Sequence, residues 1–136
     1  VLHQPAAEWD GDLSQLASLM GQLQAACTAA GGVGIAAPQI GVARRVFLAH
    51  LDCGTILAVN PVVSRSGPAL SDLEGCLSIP GGRYKVPRSR DVILRATGLE
   101  GPFELCLSGW DARVVQHEMD HLEGLLISDV GAPPNR

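Results

Sequence analysis

A chain of 136 residues, 46% hydrophobic and 18% charged, is long enough for one domain with its own core and too apolar to be disordered. Its formal net charge of -4 leaves no broad basic footprint, which argues against nucleic acid as a partner. No apolar run reaches the roughly 18 residues that cross a bilayer, and the opening Val1-Leu2-His3-Gln4-Pro5 lacks the pattern of a signal peptide, so a cytoplasmic chain with no membrane partner is expected.

Trp9-Asp10-Gly11-Asp12 supplies turn and cap residues, and Leu13, Leu16, Met20, Leu23 and Cys27 then recur at steps of three and four. The spacing predicts a helix with one apolar stripe, ending at Gly31-Gly32, where glycine commonly closes a helix. A dense run of small residues follows, Gly32-Val33-Gly34-Ile35-Ala36-Ala37-Pro38-Gln39-Ile40-Gly41. Such a run lets a backbone approach another chain or a ligand closely. It is no phosphate loop, because the G-x-x-x-x-G-K-[ST] spacing is missing. Gln39 reads either as a surface turn residue or as an amide donor pointed into a site.

An alternating strand is expected over 44–50, a hairpin turn at 52–55 and a strand over 56–63 carrying Asn60-Pro61. Residues 64–71 read as a loop. The next stretch, Glu74-Gly75-Cys76-Leu77-Ser78-Ile79-Pro80-Gly81-Gly82, holds a cysteine between turn residues. Short strands are expected over 83–87, 92–96 and 103–108, and the cluster Arg83, Lys85, Arg88 and Arg90 reads as a solvated strand face. A helix over 110–123, a last short strand over 125–127 and a loose tail over 133–136 complete the chain. The four cysteines, Cys27, Cys53, Cys76 and Cys106, are irregularly spaced, which favours thiols in a reducing compartment over a disulfide framework. The class is α+β, a single domain over 1–136 with short antiparallel strands surrounding one central helix.

That helix carries Gln116-His117-Glu118-Met119-Asp120-His121. Two histidines four apart share one helix face, and their ring nitrogens can converge on one cation. Glu118 is rotated away from ligation yet stays close enough to take a proton from a water at that cation. A catalytic site of this kind uses three protein ligands. Downstream, Glu123 points to another side of the helix and Asp129 lies too near its end. Upstream, Cys76 is the best candidate, with His3 and His50 weaker. From its placement alone, ligation and burial as a small turn residue both stay open for Cys76.

Three segments, Gly32 through Gln39, Glu74 through Ser78 and Gln116 through His121, resemble the signature motifs of the peptide deformylases, in order and at similar separations. Asn60-Pro61 and the 109–113 lead-in agree, and the resemblance covers about 1–127. It implies a peptide deformylase-like fold and a metal-dependent hydrolase that removes the formyl group from N-formyl-methionyl peptides, releasing formate, in N-terminal processing during protein biosynthesis. Cys76, His117 and His121 would hold the metal, natively Fe2+, with zinc or nickel able to replace it. Glu118 would act as general base and then general acid, while the Gln39 amide and the Leu77 backbone N–H would donate to the oxyanion. Val33, Gly34, Ile35 and Val114 would bind substrate, bordering a pocket for the methionine side chain. Asp120 would either orient a ring N–H or form a salt bridge, and Arg113 would tie the helix to the core. The sequence starts later than is usual in the family and lacks the C-terminal helix of many members, which weakens the expectation of a ribosome partner. Competing functions are a specialised formylated substrate, an H-E-x-x-H endopeptidase and a non-catalytic binding domain built on a structural metal.

Overall fold

The computed structural model of the chain describes residues 3–76 and 79–132. Helix α1, Leu13–Ala30, starts on a reciprocal cap: the Gln15 N–H donates to Asp12 Oδ1 at 2.7 Å and the Asp12 N–H donates to Gln15 Oε1 at 2.9 Å. It ends at Gly31, whose φ of 66° is the left-handed conformation glycine adopts without strain. The buried stripe is Leu16, Leu19, Leu23 and Cys27, whereas Leu13 is 62% exposed. Leu19 rather than Leu13 completes the stripe because the first turn extends past the packed region. Cys27 is a packing residue, its thiol donating to the Gly32 carbonyl at 3.2 Å.

Five antiparallel strands form one sheet in sequence order: β1 (Gly34–Ala36), β2 (Val46–Leu51), β3 (Gly54–Cys76), β4 (Ile79–Gly98) and β5 (Gly101–Ser108). A turn of 3-10 helix, Ala37–Ile40, joins the first two. Helix α2, Gly109–Leu122, and the short α3, Ile127–Val130, follow. Strand β2 does not show the expected half-buried alternation, since Val46, Phe47, Leu48 and Ala49 are all fully buried. Their side chains do alternate, but into two cores. Phe47 and Ala49 join Val115, Met119 and Leu122 of α2, while Val46 and Leu48 join Leu16, Leu23 and Cys27 of α1. At β2 the sheet is covered on both faces.

Three sequence expectations are corrected here. Residues 64–71 are strand rather than loop, pairing from Ser64↔Ile93 to Ser71↔Pro87, with a register shift between Ser66 and Ala69. Their Ser, Gly and Pro content reads as a loop because a bulge needs those residues too; Gly67 sits there at φ 78°. The segments 83–87 and 92–96 belong to the single strand β4, paired with β3 on one side and β5 on the other. Residues 125–127 lead into α3 instead of forming a strand, because Gly124 turns the chain at φ 79° and Asp129 accepts the Leu126 N–H at 2.8 Å. Asn60, at φ 50°, marks the register shift between Val59 and Val62, and its amide pairs with both main-chain groups of Trp9.

Helix α2 is docked by polar side chains as much as by its apolar face. Asp111 accepts the Asp52 N–H at 2.7 Å and the Cys53 N–H at 3.3 Å, fastening the β2–β3 turn to the helix start. The β4–β5 ladder ends at Asp91↔Ser108, leaving Ser89 beyond the reach of β5. Gln116 fills that place: its Oε1 accepts the Ser89 N–H at 2.9 Å and its Nε2 donates to the Ser89 carbonyl at 2.8 Å. The Gln116 side chain is itself 1% exposed, so this pairing is made inside the fold. Gln116→Ala, with metal content held equal, should lower unfolding stability by about 1–3 kcal/mol, the cost of leaving the two main-chain groups of half-buried Ser89 without this partner. A loss under about 1 kcal/mol in denaturant melts would mean that the clamp is not holding the strand.

Candidate metal centre and cleft

Helix α2 sets His117 and His121 one turn apart, and the end of β3 brings Cys76 against them. One ligand atom from each of the three lies within 4.8 Å of the others, and Cys76 Sγ is 3.3 Å from His121 Nε2. The two other candidates lie elsewhere. His50 faces Thr55 at 2.8 Å and His3 lies 3.7 Å from Asp129. Glu123 is occupied too, pairing with Arg45 at 2.8 Å.

Glu74 sets the orientation of the first histidine. Its Oε1 lies 2.8 Å from His117 Nδ1, so an ionised carboxylate makes Nδ1 the donor and leaves the Nε2 lone pair for a cation. The same carboxylate accepts two bonds from Arg88, at 2.9 and 3.0 Å, and one from Arg113 at 2.7 Å. Arg88 continues to Asp120, which Arg65 also approaches at 3.9 Å. Arg113 donates onward to the carbonyls of Val86 and Leu70, tying α2 to both arms of the long hairpin.

Two sequence readings change as a result. Arg88 is no solvated strand residue but 5% exposed and doubly ion-paired, and Asp120 forms salt bridges while Glu74 does the orienting. Glu74 was passed over as a motif neighbour of the cysteine. The signal that finds it is general: a histidine ligand needs a carboxylate or carbonyl on its other nitrogen.

The ionisation states suit a cation. Burial works to raise the Glu74 carboxyl, yet hydrogen bonds from His117 and Arg88 outweigh it and hold the group down at about 2. Burial lowers His117, but the Cys76 and Glu74 hydrogen bonds and the charge of Glu118 push it up to about 10. His121 is driven down to about 3 by burial and by the positive charges of His117 and Arg88, so it stays a neutral ligand. The cluster therefore draws one positive charge, which a proton on His117 provides when no metal does. Glu118 is 3% exposed; its burial raises it to about 7, and its Oε1 finds no hydrogen-bond partner among the described residues. A thiol, two imidazoles and a buried carboxylate with one oxygen unpartnered among the described residues fit a divalent transition metal with an open position.

Gln39 stands beside this cluster, on the 3-10 turn. The Ala36 N–H donates to its Oε1 at 2.9 Å, which turns its Nε2 toward Cys76 Sγ, 3.8 Å away. Leu77, the second expected donor, lies outside the described residues. The cluster opens into a cleft of about 540 Å³ lined by Val33, Gly34 and Val114, together with Leu73, Trp110 and Arg83, the last of which the sequence places on a solvated strand face. Ile35 does not line it: at 3% exposure its side chain packs in the α1-side core.

The model of the polypeptide deformylase family matches residues 1–136. A peptide deformylase of Thermomicrobium roseum is 46% identical over 111 residues, 74% of this chain and 63% of that protein. The chain thus spans a little under two thirds of the length of the curated relatives it matches. Among solved structures, the class I type b peptide deformylase of Acinetobacter baumannii bound to Met-Ala-Ser is similar, with a TM-score of 0.86 and 31% identity, over 95% of this chain and 91% of that one. The peptide deformylase of Synechococcus elongatus in complex with actinonin gives 0.87 and 33%, over 95% of this chain and 74% of that one.

The Glu74 cluster carries a pH signature in the metal-free protein. Its folded value of about 2 lies below the ordinary 4.5, so its stabilisation is complete above pH 4.5 and drains away as pH falls toward 2. Denaturant melts at pH 6, 4 and 2.5 should show about 3 kcal/mol of loss that is missing from the flatter profile of Glu74→Gln. Parallel profiles for the two proteins would mean that Glu74 gains nothing from its partners.

Proposed function

The chain belongs to the polypeptide deformylase family, and on that premise we propose that residues 1–136 act as one catalytic domain, a metal-dependent hydrolase that takes the N-terminal formyl group from N-formyl-methionyl peptides. The observation that carries the reading is the convergence of Cys76, His117 and His121 at an open cleft, beside a buried Glu118 oxygen that has no partner among the described residues. Cys76, His117 and His121 hold a divalent metal, Fe2+ in this reading, with zinc or nickel able to replace it. When bound, the metal supplies Lewis acidity, polarising the formyl carbonyl and easing loss of a proton from water.

The chain's own groups do the rest. Glu118 takes a proton from the attacking water as its oxygen bonds to the formyl carbon. Negative charge gathers on the former carbonyl oxygen, where the Gln39 Nε2 and the Leu77 backbone N–H donate hydrogen bonds. Glu118 then gives its proton to the departing nitrogen, the C–N bond breaks, and formate and a free amino terminus result. Glu74 keeps His117 in the tautomer and orientation this requires.

The peptide lies extended along β1, where Val33, Gly34 and the main chain of Ile35 receive it by strand-like hydrogen bonding. Val33, Val114, Leu73 and Trp110 give the methionine side chain an apolar lining. The substrates are nascent or newly made chains, so the protein works in the cytoplasm during protein biosynthesis, and ribosome contact is a secondary expectation. No described helix is long and apolar enough to cross a membrane.

The test combines anaerobic purification, metal content by mass spectrometry and formate release from formyl-Met-Ala-Ser. Bound iron with formate release is expected, together with loss of metal in Cys76→Ser. Glu118→Ala should retain the metal and lose turnover by a factor of about 1,000 or more. Bound metal without formate release from this peptide would overturn the reading. Because Glu118 must be ionised to accept a proton, kcat/KM should fall tenfold per pH unit below its limb. Burial lifts that limb above the ordinary 4.5, and the positive ion holds it below the metal-free value of about 7. A pH–rate profile flat from 4.5 to 7 would remove Glu118 from the base role.

A further inference from the structure

Gly34 sits in β1 opposite Ala49 of β2, buried, and its backbone lies outside the left-handed region that calls for glycine. Conformational freedom is therefore not why this position lacks a side chain. A Cβ placed there would stand 2.7 Å from Glu118 Oε2, 3.2 Å from Glu118 Cδ and 3.3 Å from the Leu48 carbonyl oxygen. Real Cβ atoms do not come that close to anything, so one neighbour must give way. The Leu48 carbonyl belongs to the main chain of a fully buried residue, in a strand with sheet on both sides. The Glu118 carboxylate is the far end of a flexible side chain, and it yields first.

From this we propose that Gly34 is a positioning residue: the missing methyl is the space that lets the Glu118 carboxylate stand at its working place. The inference rests on the role given to Glu118 above. It separates Gly34 from the plain substrate-lining role that its place in the cleft suggests. Restoring ordinary contact requires the carboxylate to retreat by about 0.7 Å. Proton transfer is sensitive on that scale, since a misplacement of about 1 Å can cost about a hundredfold in rate. The substitution is thus cheap for the fold and expensive for the chemistry.

The experiment is Gly34→Ala in the full-length, metal-loaded chain, alone and combined with Glu118→Asp. Alone it should keep metal content and unfolding midpoint near those of the unsubstituted protein, lower kcat by about 10- to 100-fold and leave KM within about threefold. A raised KM with kcat intact would assign Gly34 to substrate lining and overturn the proposal. In Glu118→Asp the carboxylate ends one methylene earlier and the contact vanishes, so the loss caused by Gly34→Ala should shrink to less than about twofold. Equal losses in both backgrounds would mean independent roles. If Gly34→Ala folds only together with Glu118→Asp, the contact is with the carboxylate, as proposed; failure in both places it on the Leu48 carbonyl and overturns the idea. A crystal structure of Gly34→Ala reports the carboxylate position whether or not the protein releases formate, which keeps this inference apart from the fate of the proposed reaction.

Discussion

The Glu74 carboxylate, gripped by Arg88, Arg113 and His117, is the contact on which the rest of the molecule depends. It is 8% exposed, and an unpaired carboxylate at that depth would either lose its charge or unfold its surroundings. Four hydrogen bonds satisfy its two oxygens. The charges close as well, with two guanidinium groups against Glu74 and Asp120. Because these groups come from β3, β4 and α2, a single polar knot fixes three elements relative to one another. Cys76 is only two residues beyond Glu74 and His117 is bonded to it, so what holds the fold also sets the distance between two of the ligand atoms.

That arrangement explains why α2 tolerates so much buried polarity. Asp111, Arg113, Gln116, Glu118, Asp120 and His121 are all buried on a helix of 14 residues. Most have a main-chain or ionic partner: Asp111 in the β2–β3 turn, Gln116 at Ser89, Arg113 at Val86 and Leu70, Asp120 at Arg88. The helix needs these bonds, because Ala112, Val115, Met119 and Leu122 form only a narrow apolar stripe. Among the described residues, the exceptions are Glu118 Oε1 and His121 Nδ1. Both belong to the site, which is where a fold retains unsatisfied groups at a cost in stability.

The sequence made the ends of this design legible and hid the middle. Histidines 117 and 121 declare themselves by helical spacing, and α1 by its cap and stripe. Cys76 did not separate from a packing cysteine on placement alone, since it lies 41 positions before His117 and nothing local joins them. Resemblance to a family points to ligation where residue chemistry leaves both readings open. Arg88 was misread because an arginine in a basic run is usually solvated, and only the arrival of Glu74 and Asp120 from positions 14 and 32 residues away buries it. The 64–71 strand was misread because bulge residues and loop residues are the same residues. The family resemblance places Ile35 at the pocket, whereas the period of a strand sends adjacent side chains to opposite faces and its own side chain packs in the α1-side core.

Glu118 shows how the parts combine. Burial, the largest influence on it, raises it to about 7, so that in the metal-free protein it is only partly ionised near neutral pH. A positive ion at Cys76, His117 and His121 would replace the proton that His117 otherwise carries and would favour the charged form of the neighbouring carboxylate. The same ion would bind the folded state far better than the unfolded one, in which these residues are scattered along the chain, so occupancy and stability are linked. The Glu74 knot makes the linkage efficient. With His117 already oriented and Cys76 already in place, little further ordering would be required on binding an ion, and its binding free energy would go into the folded state and the ionisation of Glu118.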